Sequence, residues 1–357
     1  MDSERTFREA RRLTPEGQLM FEENHTIIYI YSTHLFTTVT STSPIKINKM
    51  PFTYLKGEGG DKLKVRDIDG AYTFPWNNLE NHDEEFRSIP NWKARDDDVM
   101  ICVYPKSGTH WAYEILSMLL SQKAERVETF KQSGVLDSIS QEQFDSMPSP
   151  RVLSTNALFP QLPVDFRNRK CKIVHIVRNP KDVAVSFFHH HTGLKTYEFD
   201  GNWETYLPRF MKGDVDGNSW FDYTNDWEKT IVDNPDYPIH IMYFEDMVEN
   251  IHAEIFKLAN FLEVCTHSTL DFINSVASLC TIDKMRNEKA TTAPLSWKEG
   301  SAGVYRKGIV GDWKSMFSVT QNETFDELYH TRMNKSKLNI RFSIPEKLPA
   351  KSRSVFH

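Results

Sequence analysis

The chain has 357 residues, of which 39% are hydrophobic and 26% charged, enough for one large core or two smaller domains. Its formal net charge of −6 and pI near 6.1 speak against a general nucleic-acid binder, which carries a basic surface, yet leave room for a local basic pocket. No apolar run has the length of a transmembrane helix: the nearest, 27–39, is broken by Ser32, Thr33, His34, Thr37 and Thr38, and no secretory leader pattern opens the chain.

Residues 1–49 differ from the rest. A charged, helix-prone start (4–12) leads into a β-branched, Ser/Thr-rich run. A flexible, dispensable N-terminal extension is expected, with an added strand or a product of start-codon choice as the alternatives. From Met50 onward, strand and helix patterns alternate, defining a second unit, 50–357. The run 99–104 fits a buried strand, and 111–122 places Ile115, Leu116, Leu119 and Leu120 at helical spacing. A second strand is predicted over 172–177, followed by Pro180 and a helix with Asp182 in its first turn. A third covers 239–244, with a helix over 251–262. The stretches 193–220 and 285–305 read as loops, the second as a lid. The alternation predicts an α/β fold: a central parallel sheet flanked by helices, with ligands beyond the carboxyl ends of the strands. The cysteines are Cys102, Cys171, Cys265 and Cys280. They form no C-x-x-C pair, and the first two lie in strand-like runs. Buried free thiols in a reducing, cytoplasmic compartment are expected.

Three segments carry the chemistry. Lys106-Ser107-Gly108-Thr109 joins a predicted strand to a predicted helix, a P-loop-like arrangement in which backbone N–H groups and the helix N-terminus converge on an anion. The spacing is not that of a Walker A loop, which counts against a nucleotide kinase, and the bland reading is a tight turn with a solvated lysine. Arg178 ends a strand and Ser186 lies eight residues on, a pairing suited to a phosphate monoester or to a surface Arg–carboxylate pair. Arg306-Lys307-Gly308 adds two cations and a backbone that permits close approach.

These segments, in this order and continued by Gly311-Asp312-Trp313-Lys314, resemble the cytosolic sulfotransferases, which move a sulfuryl group from PAPS (3′-phosphoadenosine 5′-phosphosulfate) to small acceptors. The resemblance spans roughly 50–342. It implies that Lys106, Ser107, Gly108, Thr109, His110 and Trp111 hold the phosphosulfate and that Trp111 stacks on adenine. Arg178, Ser186, Arg306, Lys307 and Gly308 would bind the 3′-phosphate, and Thr281, Ile282, Met285 and Phe244 would border the base. No metal is implied. Ile282 and Phe244 depart from the family pattern, in which an aromatic ring and a tyrosine are usual, and His110 replaces a common threonine.

The largest departure is Asn156. It falls where the family carries its general-base histidine, in the register fixed by Ser149-Pro150-Arg151 and Leu162-Pro163. A carboxamide orients a hydroxyl but does not take its proton, and loss of such a base costs about 10²–10⁴-fold in rate. The implied function is therefore sulfuryl transfer to a hydroxyl or amine of a small lipophilic acceptor, with Lys106 and Asn156 at the reacting centre. The alternative is a PAPS-binding pseudoenzyme that acts as a regulatory or interaction protein. His110 and the His189-His190-His191 run are candidate substitutes for the base, against the plainer reading of the run as a helix end. The acceptor pocket is expected, by analogy, from Phe52, Tyr54, Leu158, Phe159, Phe187, Phe188 and 285–305. Lys314, Ser318, Val319 and Glu323 resemble the family's short dimer motif, implying a homodimer, with a solvated helix start as the alternative.

Overall fold

The computed structural model describes residues 12–13, 19–23, 26–29, 52–126, 134–264, 270–289, 296–301 and 303–345. The chain divides into two compact units, Met1–Pro51 and Phe52–His357. In the first, β1 (Arg12–Leu13), β2 (Leu19–Glu23) and β3 (Thr26–Tyr29) form an antiparallel sheet in the order β1-β2-β3. Most of the helix-prone start, 4–12, lies outside the described residues.

The second unit opens with a small antiparallel sheet of β4 (Thr53–Lys56), β5 (Lys62–Ile68) and β6 (Ala71–Thr73), then α1 (His82–Ser88). The central sheet begins with β7 (Val99–Val103), which leads into α2 (Thr109–Ser121) and α3 (Gln141–Ser146). Next come β8 (Val152–Thr155), α4 (Val164–Asn168), β9 (Lys172–Val177) and α5 (Pro180–Gly193). After α6 (Trp203–Lys212) and α7 (Trp220–Asp233), β10 (Ile239–Tyr243) completes the sheet. The chain continues through α8 (Phe244–Glu249), α9 (Ile251–Leu262), α10 (Leu270–Leu279), α11 (Ile282–Lys289) and α12 (Val319–Met333).

The four central strands are parallel, in the order β10-β9-β7-β8. Every residue of β7 is buried, which explains its unbroken apolar run: both faces of the sheet are covered. Val99, Ile101 and Val103 pack with Ile115, Leu116 and Leu119 of α2 and with Leu258 of α9. Met100 and Cys102 face the other layer, with Val183 and Phe187 of α5, Tyr206 of α6 and Trp227 of α7. Each such side chain contributes about 1.5–3 kcal/mol on burial. The chain leaves β7 towards β8 on one side and returns to β9 on the other. The crevice at the carboxyl end of β7 is thus a topological switch point, where open parallel sheets bind ligands.

Two loop expectations are corrected. The stretch 193–220 contains α6, capped by Asn202, whose side chain accepts from Thr205 N. Its buried Trp203, Tyr206, Leu207 and Phe210 recur at helical spacing, while Pro208 inside the helix obscures the pattern. The start of 285–305 belongs to α11, and its later part is tied to the end of α5, with Lys298 N donating to Gly193 O at 2.7 Å. Residues 290–295 and 302 of the expected lid lie outside the described residues. Cys102, Cys171 and Cys280 are buried free thiols; Cys265 lies outside the described residues. Among the described residues no helix is long and apolar enough to cross a membrane.

Candidate active site

The turn after β7 is held open by its backbone. Lys106 has φ +68° and Gly108 φ +113°, so the chain twice enters the left-handed region before α2 begins. That conformation costs a lysine energy and persists only where neighbours enforce it. Here Arg178 Nη1 donates to Lys106 O at 2.8 Å. A Cβ on Gly108 would stand 3.1 Å from the Phe244 ring, so glycine meets both a dihedral and a packing demand.

Arg178 is 6% exposed and lies 4.0 Å over the Phe244 ring. Burial lowers its pKa, with Asp182 and Glu245 opposing. Its Nε and the Oγ of fully buried Ser107 have no hydrogen-bond partner among the described residues. A buried guanidinium with donor capacity to spare, beside a turn at a helix N-terminus, fits a bound anion.

The second cationic segment is anchored from below. Arg306 Nη1 pairs with Asp312 Oδ2 at 2.5 Å, and Lys307 Nζ with Asp312 Oδ1 at 2.6 Å. Burial pushes the Asp312 carboxyl up, but the two hydrogen-bonded cations outweigh it and hold the group below its ordinary range. The turn carrying Asp312 is gripped in turn by Asp182, whose oxygens accept from Gly311 N at 2.7 Å and Trp313 N at 2.9 Å. Asn179 donates to both Asp182 and Glu245, joining the start of α5 to α8. Arg286 of α11 donates to the carbonyls of Tyr305 and Arg306, at 3.0 and 2.6 Å. Gly308 has φ +66°, and a Cβ there would meet Ile282 at 2.7 Å. Sequence reading missed Asn179, Glu245 and Arg286 and took Asp182 only as a first-turn acid. The Asn-Pro-x-Asp spacing was the available signal, since it predicts a capped helix start with a carboxylate at its N-terminus.

One cavity gathers the predicted residues. Lys106, Gly108, Thr109, His110, Trp111, Asn156, Arg178, Ser186, Phe244, Ile282, Met285, Arg306, Lys307 and Gly308 all line it. Ser107 is buried behind the lining. Thr281 is exposed at the start of α11, its carbonyl accepting from Met285 N at 2.9 Å. Trp111 meets Phe244 edge-on, with centroids 5.7 Å apart.

The aromatic end differs from the expected acceptor pocket. Phe187 lines the cavity, joined by Phe74, Trp76 and Tyr197, which sequence reading missed. Phe52 instead packs under Lys64 and Arg66, and Tyr54 donates to Glu198 at 2.6 Å. Phe159 is taken up by edge contacts with Trp227 and Tyr237, and Phe188 by Trp203 and Tyr206 of the following layers. Leu158 lines a second cavity, which shares Phe74, Asp137, Asn156 and Asp216 with the first. Asn156 follows β8 and donates through Nδ2 to Val103 O at 2.5 Å.

The three histidines of α5 point to different surroundings. His191 is buried, with ring nitrogens 3.0 Å from Tyr206 Oη and 2.6 Å from Asp216 Oδ1. Burial depresses its pKa more than Asp216 restores it. His189 is half-buried and also depressed, by burial and then by Arg306. His190 faces the cavity, its Nδ1 3.2 Å from Lys106 Nζ.

A family model described as a sulfotransferase domain matches residues 96–337, which encloses the turn after β7, the start of α5 and the Arg306–Trp313 segment. The chain belongs to the sulfotransferase family. It is 35% identical over 294 residues to dog sulfotransferase 1B1, covering 76% of this chain and 93% of that one. Mouse sulfotransferase 1 family member D1 is 32% identical over 297 residues, covering 79% and 97%. Among solved structures, mouse sulfotransferase SULT7A1 complexed with PAP shares 28% identity at a TM-score of 0.63, covering 76% of this chain and 96% of that one. Retinol dehydratase in a complex with retinol and PAP shares the fold, at 18% identity and a TM-score of 0.63 over 82% and 93% of the two chains.

Proposed function

We propose that this sulfotransferase-family protein transfers a sulfuryl group from PAPS to a hydroxyl or amine of a small lipophilic acceptor. The observation that carries the reading is one cavity lined both by the left-handed Lys106 turn at the start of α2 and by the cations Arg178, Arg306 and Lys307. A ligand with anionic groups at two points suits that lining, and Arg178 Nε and Ser107 Oγ, without a hydrogen-bond partner among the described residues, fit it as a donor set. The co-substrate supplies an activated sulfuryl group when bound. Lys106 then places positive charge where the leaving oxygen develops negative charge. Arg178, Ser186, Arg306, Lys307 and the Gly308 backbone hold the 3′-phosphate; Thr109, His110 and Trp111 flank the nucleotide. Phe74, Trp76, Phe187 and Tyr197 offer the acceptor flat apolar walls. Asn156 orients the acceptor without taking its proton. Lys314, Val319 and Glu323, all exposed, are the patch available for a homodimer.

A second reading, a nucleotide-binding protein without turnover, is favoured by Asn156 alone. Calorimetry with 3′-phosphoadenosine 5′-phosphate and a turnover assay separate the two. We expect tight binding of the bisphosphate and a loss of roughly 10–100-fold on Arg306→Ala, the worth of one hydrogen bond to a charged group. Equal affinity for adenosine 5′-phosphate, which lacks the 3′-phosphate, would refute the assignment.

A further inference from the structure

An acceptor hydroxyl must shed a proton as its oxygen becomes bonded to sulfur, and the Asn156 carboxamide has no basic nitrogen to receive it. The receiving group has to border the same cavity and be near Lys106. Tyr197 is protonated and donates to Asp216 Oδ2 at 2.7 Å, its pKa pushed well up by burial and then by Asp216. Asp216 is committed to that hydroxyl and to the His191 ring. His110 is on the first turn of α2, edge-on to Tyr305 at 5.9 Å. His190 differs from all of these.

Its Nδ1 is 3.2 Å from Lys106 Nζ. An ammonium only donates, so Nδ1 presents its lone pair there and the ring is the neutral tautomer with hydrogen on Nε2. The ring is boxed by Phe74, Phe187, Tyr197 and Trp297, with centroids 6.5, 6.1, 5.5 and 5.6 Å away. On α5 it stands four residues after Ser186, so one face of a single helix brings both residues to the cavity.

We propose that His190 is the proton acceptor of this enzyme, a catalytic residue displaced from β8 to α5. The proposal rests on the sulfotransferase reading above. The acceptor hydroxyl takes the place on Nδ1 that Lys106 Nζ holds here. Its O–H bond breaks and the proton passes to Nδ1, giving imidazolium. The freed oxygen pair forms the new O–S bond, the S–O bond to phosphate breaks, and its pair stays on the phosphate oxygen, next to Lys106. Imidazolium then returns its proton to water. No oxidant or further reactant is needed.

The test uses the full chain, with PAPS and an aliphatic alcohol acceptor. His190→Phe is expected to lower kcat by about 10²–10⁴-fold. Bisphosphate affinity and acceptor KM should stay within about threefold, since the ring binds neither the nucleotide nor the bulk of the acceptor. His190→Gln, which keeps a polar contact with Lys106 but no basic nitrogen, should be as slow. The loss should shrink with an acidic phenol, whose proton leaves readily. Adding Asn156→His to His190→Phe should recover at least about tenfold, by restoring a base from the β8 side. A wild-type kcat in His190→Gln overturns the proposal. So does collapse in His110→Phe with His190→Phe unaffected, or bisphosphate binding by the wild type with no turnover of any acceptor. A wild type that fails to bind bisphosphate at all instead sinks the sulfotransferase reading itself.

Discussion

The two ends of the cavity are held by different physics. At the end proposed for the nucleotide the cations are tethered by the chain itself: Arg178 to the Lys106 carbonyl, Arg306 and Lys307 to Asp312, and the Asp312 turn to Asp182. At the end proposed for the acceptor, position comes largely from ring packing, with Phe74, Trp76, Phe187 and Tyr197 near the contact of Lys106 with His190. Charge demands fixed geometry, because a buried ion without its partner costs several kcal/mol. Aromatic walls tolerate exchange, because volume-conserving changes in packing cost less. The nucleotide end should therefore fail sharply when one link is cut, and the acceptor end by degrees.

The largest effect is expected at Asp182. Asp182→Ala leaves the Gly311 and Trp313 N–H groups without their acceptor and removes one of the two acceptors of the Asn179 amide. A loss of about 3 kcal/mol in unfolding free energy should follow, each buried unpaired group costing about 1–3 kcal/mol. Bisphosphate affinity should fall with it, as Asp312 loses its support. Chemical denaturation and calorimetry would show both, and a stable variant with unchanged affinity would break the comparison.

A smaller, pH-dependent effect belongs to the acceptor end. His191 is buried beside Phe187 and Tyr197, and burial keeps its folded pKa below the ordinary value of 6.5 despite Asp216. Such a group contributes its full stability above pH 6.5, where both states are neutral, and loses it as pH falls towards the folded pKa. His175, stacked on Trp227 and lowered by burial to about 4, adds to the loss between pH 6.5 and 4. Stability measured downward from pH 7 should decline below 6.5. His191→Gln keeps hydrogen-bonding capacity without a titrating ring, and should make the decline shallower by at most about 1.4 kcal/mol per pH unit. An unchanged slope would mean that Asp216 keeps His191 charged.

The smallest effect is expected from the first unit. A chain beginning at Met50 should fold and bind the bisphosphate as the full chain does, because every described residue lining the cavity lies beyond it. Loss of folded protein would show that residues 1–49 support the second unit.

The cationic end of the cavity was legible in sequence because its pattern is local. A strand, a turn with glycine and a helix start occupy a few consecutive residues, so Lys106–Trp111 and Arg178–Ser186 announced themselves, as did Arg306–Gly308. The strands were legible locally as well: β7, buried throughout, reads as an unbroken apolar run, and β9 and the half-buried edge strand β10 as apolar runs interrupted by His175 and His240. The helix α6 was not, because Pro208 interrupts a pattern that tertiary burial of Trp203, Tyr206 and Phe210 restores. The aromatic walls were legible only in part: Phe187 was expected there, but Phe74, Trp76 and Tyr197 were not. Phe74 and Trp76 come from the stretch after β6, Phe187 from α5 and Tyr197 from the turn after it, and which aromatic ring faces a cavity depends on which partners occupy the others. Phe159 and Phe188 are chemically equal candidates, but Trp227 and Trp203 claimed them first.

By itself, then, the sequence determined the alternating α/β order and the cationic turns, and it raised the expectation that Asn156 stands where the family carries a histidine. Those features depend on residues adjacent along the chain or on a fixed motif order. Only the tertiary structure decided that Asp182 braces the Asp312 turn, that His191 turns inward to Asp216, and that its neighbour His190 meets Lys106. These pairs are 129, 25 and 84 residues apart, and contact between them is set by how the helices pack on the sheet.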